Sequence, residues 1–191
     1  MRKLVLASFC MFGFATPLFA ADNYKIDPSH TFPYFEVSHM GFSVQKGRFN
    51  KTSGTLVLDR AAKTGSVEIT VDTASIDTGF AQRDDDLRSD KFFNVEKFPT
   101  MTFKADKLKF NGDVPVAAEG QLTLLGVTKP LTLTIQGVKC GIAMRREKCG
   151  AEVSGSLKRS DFGMMAFLPA ADRMGVGDII SLHIAVEAVK E

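Results

Sequence analysis

The sequence predicts an eight-stranded antiparallel β-barrel with one short helix, and three observations predict it. Apolar and polar residues alternate with period two in eight separate segments. Turn-forming clusters such as Asn111-Gly112-Asp113 and Lys63-Thr64-Gly65 separate them. One-sided alternation on that many strands suits a sheet with one dry face, and closing the sheet removes its edges. The 191 residues, 24% of them charged, fit one globular domain, placed at residues 21–191.

The segments run in order. In 32–40, Phe35 and Val37 share one face and Glu36 and Ser38 the other. In 52–59, Leu56 and Leu58 oppose Thr55 and Val57. Val67, Ile69 and Val71 alternate with Glu68 and Thr70 in 66–72, and Met101, Phe103 and Ala105 with Thr102 and Lys104 in 100–108. Segments 119–124, 129–138 and 149–158 follow, and 178–189 carries Ile180, Leu182, Ile184 and Val186 against Ser181, His183 and Glu187. The stretch 78–99 is too long for a hairpin and poor in β-branched residues; 82–89 suits a helix with acids in its first turn and Arg88 in its last.

Strand parity places Phe35, Val37, Leu56, Ile69, Phe103, Leu122, Leu133, Leu182 and Ile184 on the inner face. Several inner positions are small: Gly54, Ala105, Gly120, Val153 and Gly155. Unfilled apolar volume is costly unless something occupies it, so these positions suggest a ligand cavity. A tapered, solidly packed barrel accounts for them equally well.

The N-terminus carries Arg2 and Lys3, an apolar run over 4–14, Pro17, and small residues Ala20 and Ala21. These are the parts of a secretory signal peptide over residues 1–20, with cleavage after Ala21 the alternative. Its removal balances basic and acidic residues, and no Lys/Arg run remains to track phosphates, so nucleic acid is not an expected partner. No later apolar run is long enough to span a bilayer as a helix. The expected location is outside the cytoplasm. Cys140 and Cys149 then form an even pair where disulfides persist, spaced for a hairpin loop; two cysteines alone do not complete a zinc site.

Catalytic signals are missing. There is no Gly-x-Ser-x-Gly elbow, and His30, His39 and His183 lack metalloprotease spacing. Asp84-Asp85-Asp86 lacks the alternating ligands and glycine of a calcium loop. No catalysis, metal or cofactor is expected.

Several motifs together resemble the YceI-like family. They are Asp27-Pro28-Ser29-His30-Thr31, Phe35-x-Val37-x-His39-Met40-Gly41, Gly47-Arg48-Phe49 and Ser75-Ile76-Asp77-Thr78-Gly79. Arg83-Asp84-x-x-Leu87-Arg88-Ser89, Phe92-Phe93-Asn94-Val95-x-x-Phe98-Pro99, Gly120-x-Leu122-Thr123-Leu124-x-Gly126-Val127-Thr128-Lys129-Pro130 and Arg159-x-Asp161-Phe162-Gly163 complete the set. The resemblance implies a lipocalin-like barrel in the periplasm. Its elongated cavity would hold an isoprenoid lipid, such as a polyprenyl phosphate or a prenylated quinone like ubiquinone, as carrier or store. A homodimer is the protein partner it implies.

Arg83, Arg88 and Arg159 are the cations in the matching segments, and a guanidinium suits the phosphate or carbonyl oxygens of a head group. Three features depart from the family: Asp86 stands where His is frequent, Pro33 interrupts a strand, and the cysteine pair is not general. Two other functions compete with lipid binding. One is a solid barrel acting through its outer surface; the other is an enzyme for a prenylated substrate.

Overall fold

The computed structural model describes residues 21–169 and 174–191. The predicted signal peptide, residues 1–20, lies outside them. The described residues form twelve strands and one α-helix. The first six strands are β1 (Asp22–Ile26), β2 (Phe32–His39), β3 (Ser43–Phe49), β4 (Thr52–Asp59), β5 (Thr64–Asp72) and β6 (Ile76–Asp77). Then come α1 (Ala81–Arg88), β7 (Thr100–Ala105), β8 (Leu108–Asn111), β9 (Val114–Leu124), β10 (Val127–Ala143), β11 (Arg146–Lys158) and β12 (Val176–Lys190).

Eight strands close a ring in the order β1-β4-β5-β7-β9-β10-β11-β12, and β12 pairs back onto β1. All pairings are antiparallel. The predicted fold class holds, with one change of stave. Periodicity counts the segment at 32–40 among the eight, but the ring is closed by the five-residue β1. Tyr24 and Ile26 point inward there, with Tyr24 wholly buried.

β1 and β2 are two halves of one bent stave. β1 pairs with the C-terminal end of β12 and β2 with its N-terminal part. The corner between them is pinned to Glu187, whose carbonyl accepts hydrogen bonds from the Asp27 N–H at 2.9 Å and the Thr31 hydroxyl at 3.2 Å. β8 likewise shares β9 with β7. Beyond the ring, β2 carries β3 and β6 as a small extension of the sheet. Pro33 pairs with β12 but precedes the first residue paired with β3, so its missing N–H leaves no gap in that ladder.

The helix starts one residue earlier than predicted. Asp84 in its first turn accepts hydrogen bonds from the backbone N–H and the hydroxyl of Thr78, which ties the helix to the residue that follows β6. Cys140 and Cys149 are bonded to each other and are directly opposed across β10 and β11.

Candidate ligand cavity

A cavity of about 280 Å³ lies within the barrel. Every ring strand except β1 contributes more than one side chain, and β1 contributes Ile26. All nine side chains placed inside by parity line its wall: Phe35, Val37, Leu56, Ile69, Phe103, Leu122, Leu133, Leu182 and Ile184. Alternation is the physical reason, because each strand can turn only every second side chain inward.

Other wall residues escape a strand-by-strand reading. Leu87 comes from α1, and Phe92 and Phe93 from the segment that follows it. Phe49, Phe93 and Phe35 pack as an aromatic group: Phe49 meets Phe93 edge-on at 5.4 Å and Phe35 at 5.8 Å. The paired phenylalanines in an otherwise polar stretch were the signal available for this. Met164 and Val176 also reach the wall, on either side of residues 170–173.

The small inner positions are not what makes the cavity. An added Cβ at Gly120 would stand 2.7 Å from the Phe103 ring. At Gly155 it would stand 2.8 Å from Leu133, and at Gly54 2.9 Å from Ile69. These glycines seat neighbouring side chains, and Ala105 is buried outside the wall. Val153 alone of the five lines the cavity.

The three arginines do not converge on the lumen. Arg83 lies outside the wall. Its guanidinium donates to the Thr78 hydroxyl, the Thr78 carbonyl and the Gln45 side chain at 2.8–3.0 Å. Arg88 is also outside the wall and holds the carbonyls of Ala74 and Ile76, each at 2.9 Å, and Asp85. Both brace α1 against the chain before it, so the head-group role expected of them is not supported.

Arg159 differs: it is buried, it lines the cavity, and it is the one charged side chain of the described wall. Its guanidinium donates to the carbonyls of Met164, Val176 and Gly177, each at 2.9 Å. Burial lowers its pKa, and the charge of Asp178 opposes that shift. Three of its five N–H donors are therefore spent on the fold. Thr31, Tyr34, Thr52 and Thr102 are the uncharged polar side chains of the wall, and Thr52 stands apart. It lines the cavity, and its buried hydroxyl has no partner among the described residues.

Outside the barrel, Asp27, His30 and Glu187 gather closely enough to suggest metal ligands. The Lys148 ammonium lies 3.3 Å from Asp27 and 3.7 Å from Glu187, so the carboxylates already face a cation.

A closed antiparallel barrel around an apolar lumen defines a lipocalin-like class of protein. The YceI-like domain profile matches residues 24–188, and the chain belongs to that family. A UPF0312 protein of Pseudomonas aeruginosa is 37% identical over 90% of this chain and 88% of its own. The protein YceI of Salmonella agona is 36% identical over the full length of both. Among solved structures, a YceI protein of Campylobacter jejuni superposes with a TM-score of 0.67 at 28% identity, covering 97% of this chain and 99% of that one. A polyisoprenoid binding domain from Saccharophagus degradans, implicated in plant cell wall breakdown, shares the fold with a TM-score of 0.64. It is 16% identical, over 88% of this chain and 98% of that one.

Proposed function

We propose that this protein binds the tail of an isoprenoid lipid inside its barrel and serves as a periplasmic carrier or store. The observation that carries the reading is the lumen itself, whose described wall has one charged residue in an otherwise almost wholly apolar lining. Each CH₂ moved from water into such a lining contributes about 0.8 kcal/mol. A tail of several isoprene units thus gains affinity without specific polar contacts. That the same fold serves as a polyisoprenoid binding domain in Saccharophagus degradans supports the reading.

The wall favours a neutral head group. A phosphate within the lumen would face Arg159, three of whose donors are engaged, and little other polar surface. A prenylated quinone or a polyprenol fits within this lining, whereas a polyprenyl phosphate would have to keep its head outside. The exported location rests on the signal-like sequence of residues 1–20.

The test is extraction of the purified protein with organic solvent and mass spectrometry of the extract. A bound prenyl lipid is the expected result, recovered chemically unchanged after incubation with the protein. No extractable lipid, together with no uptake of a supplied prenylquinone, would remove the reading. Turnover of the lipid would instead favour the enzyme.

A further inference from the structure

We infer that the tip of the β10–β11 hairpin is a docking finger for an anionic lipid surface. Four features of this chain meet there.

The first is projection. β9 accompanies β10 only as far as Thr134, and β12 accompanies β11 only as far as Lys148. The ladder between β10 and β11 continues past both, to the pair Ala143 and Arg146. The last residues are thus a two-stranded ribbon without sheet on either side, and 141–146 are all exposed. An unsupported ribbon is marginal by itself. The Cys140–Cys149 disulfide clasps this one near the place where its neighbours end.

The second is composition. Ile142 is 82% exposed and Met144 93%, the two highest values among the exposed large apolar side chains of the described residues. A bulge between Gln136 and Lys139 sets this pattern, with Gly137 at φ +63°. Leu131, Leu133 and Ile135 face inward before it, and Val138 and Cys140 face inward after it. The bulge shifts parity by one, so Ile142 falls on the row that would otherwise hold Gly141.

The third is charge. Lys139, Arg145 and Arg146 form no ion pair among the described residues, whereas Lys148 is engaged by Asp27 and Glu187. The one acid of the ribbon, Glu147, is held by Tyr24, Arg60 and Lys190. Three free cations around two exposed apolar side chains complement an interface with negative head groups above and acyl chains below.

The fourth is the turn. Its two central residues, Met144 and Arg145, have φ of +52° and +65°. A turn of this kind favours Asn-Gly. Keeping an apolar and a cationic side chain in that backbone conformation points to a use for the side chains rather than for the turn.

This surface is separate from the cavity, and its test does not depend on what the cavity holds. Purified protein, before and after lipid extraction, is sedimented with vesicles of phosphatidylglycerol and phosphatidylcholine, and with vesicles of phosphatidylcholine alone. Binding is expected only to the first and should weaken with added salt. Arg145→Glu with Arg146→Glu should reduce it at least about tenfold, at roughly fivefold per cation lost. Ile142→Ser with Met144→Ser should reduce it comparably, with the melting temperature retained because the tip is exposed. Lys91→Glu with Lys129→Glu makes the same charge change elsewhere and should leave most binding intact. No binding by the unmodified protein, or equal losses from both charge reversals, overturns the inference. So does a tip variant that keeps vesicle binding but shifts the protein's oligomeric state, which would make the finger a protein contact.

Discussion

The Phe103 ring lies across Gly120 on the neighbouring strand, so near that a Cβ there would stand 2.7 Å from the ring's Cζ. The glycine is a seat for an aromatic side chain that lines the lumen on its other side. Backbone of β7 crowds the same point, at the Lys104 carbonyl, and cannot swing away as a side chain can. Gly120→Ala should therefore destabilise the fold by about 1–3 kcal/mol, read as a lower midpoint in urea unfolding. A neutral substitution would mean that the ring has room to move.

Filling the lumen should act in the opposite way. Val153 faces the cavity and is only partly buried. Val153→Phe adds volume where the proposed tail would lie, so co-purifying lipid should fall several-fold while the lipid-free protein melts at or above the wild-type temperature. Marked destabilisation with lipid content unchanged would indicate a packed core at that position.

The repeating alternation made seven of the ring's staves legible, because each carries several inward apolar residues in register. β1 was not, since five residues offer only Tyr24 and Ile26, and two apolar residues make no period. β3 is illegible for a different reason: beyond the ring it needs little burial, and only Gly47 and Phe49 are buried within it. The far end of β10 hid its phase behind the bulge at Gln136–Lys139. For the arginines, residue type suggested anion binding, but the carbonyls they hold lie at separations from 5 to 18 residues and follow no spacing rule. The cavity wall was readable where it is built from strands and unreadable where α1 and the segment after it complete it.

The disulfide supports a local ribbon. Cys140→Ser with Cys149→Ser should cost about 2–3 kcal/mol on the chain-entropy account and leave the barrel's circular dichroism intact. Loss of the β spectrum would show that the clasp holds the ring as well as the hairpin.

The orphan hydroxyl of Thr52 separates two demands on the same atom. In an empty lumen it is a buried polar group without a partner among the described residues, which costs on the order of 1–3 kcal/mol. Thr52→Val should then stabilise lipid-free protein in urea unfolding. If a quinone carbonyl accepts a hydrogen bond from it, the same variant should weaken quinone binding and leave binding of a plain polyprenol unaltered. Equal effects on both ligands would assign Thr52 to packing alone.

Acid should loosen the corner between β1 and β2. The Asp27 carboxylate accepts hydrogen bonds from the Ser29 hydroxyl at 2.6 Å and the Ser29 N–H at 3.0 Å, and it faces His30 and Lys148. The Ser29 hydroxyl bond is the largest cause holding its pKa far below the ordinary 3.8; partial burial opposes the shift, and His30 and Lys148 reinforce it. A carboxyl with a depressed folded pKa binds protons less readily in the folded state than in the unfolded one. Its contribution to stability is therefore complete above about pH 5 and is lost as pH falls below the unfolded value. Unfolding free energy should decline between about pH 4.5 and pH 2, and Asp27→Asn should be less stable than wild type at pH 7 with a shallower decline over that range. Urea melts of both proteins at several pH values measure the two slopes. Parallel slopes would place the acid sensitivity on other carboxylates and leave Asp27 without a part in closing the barrel.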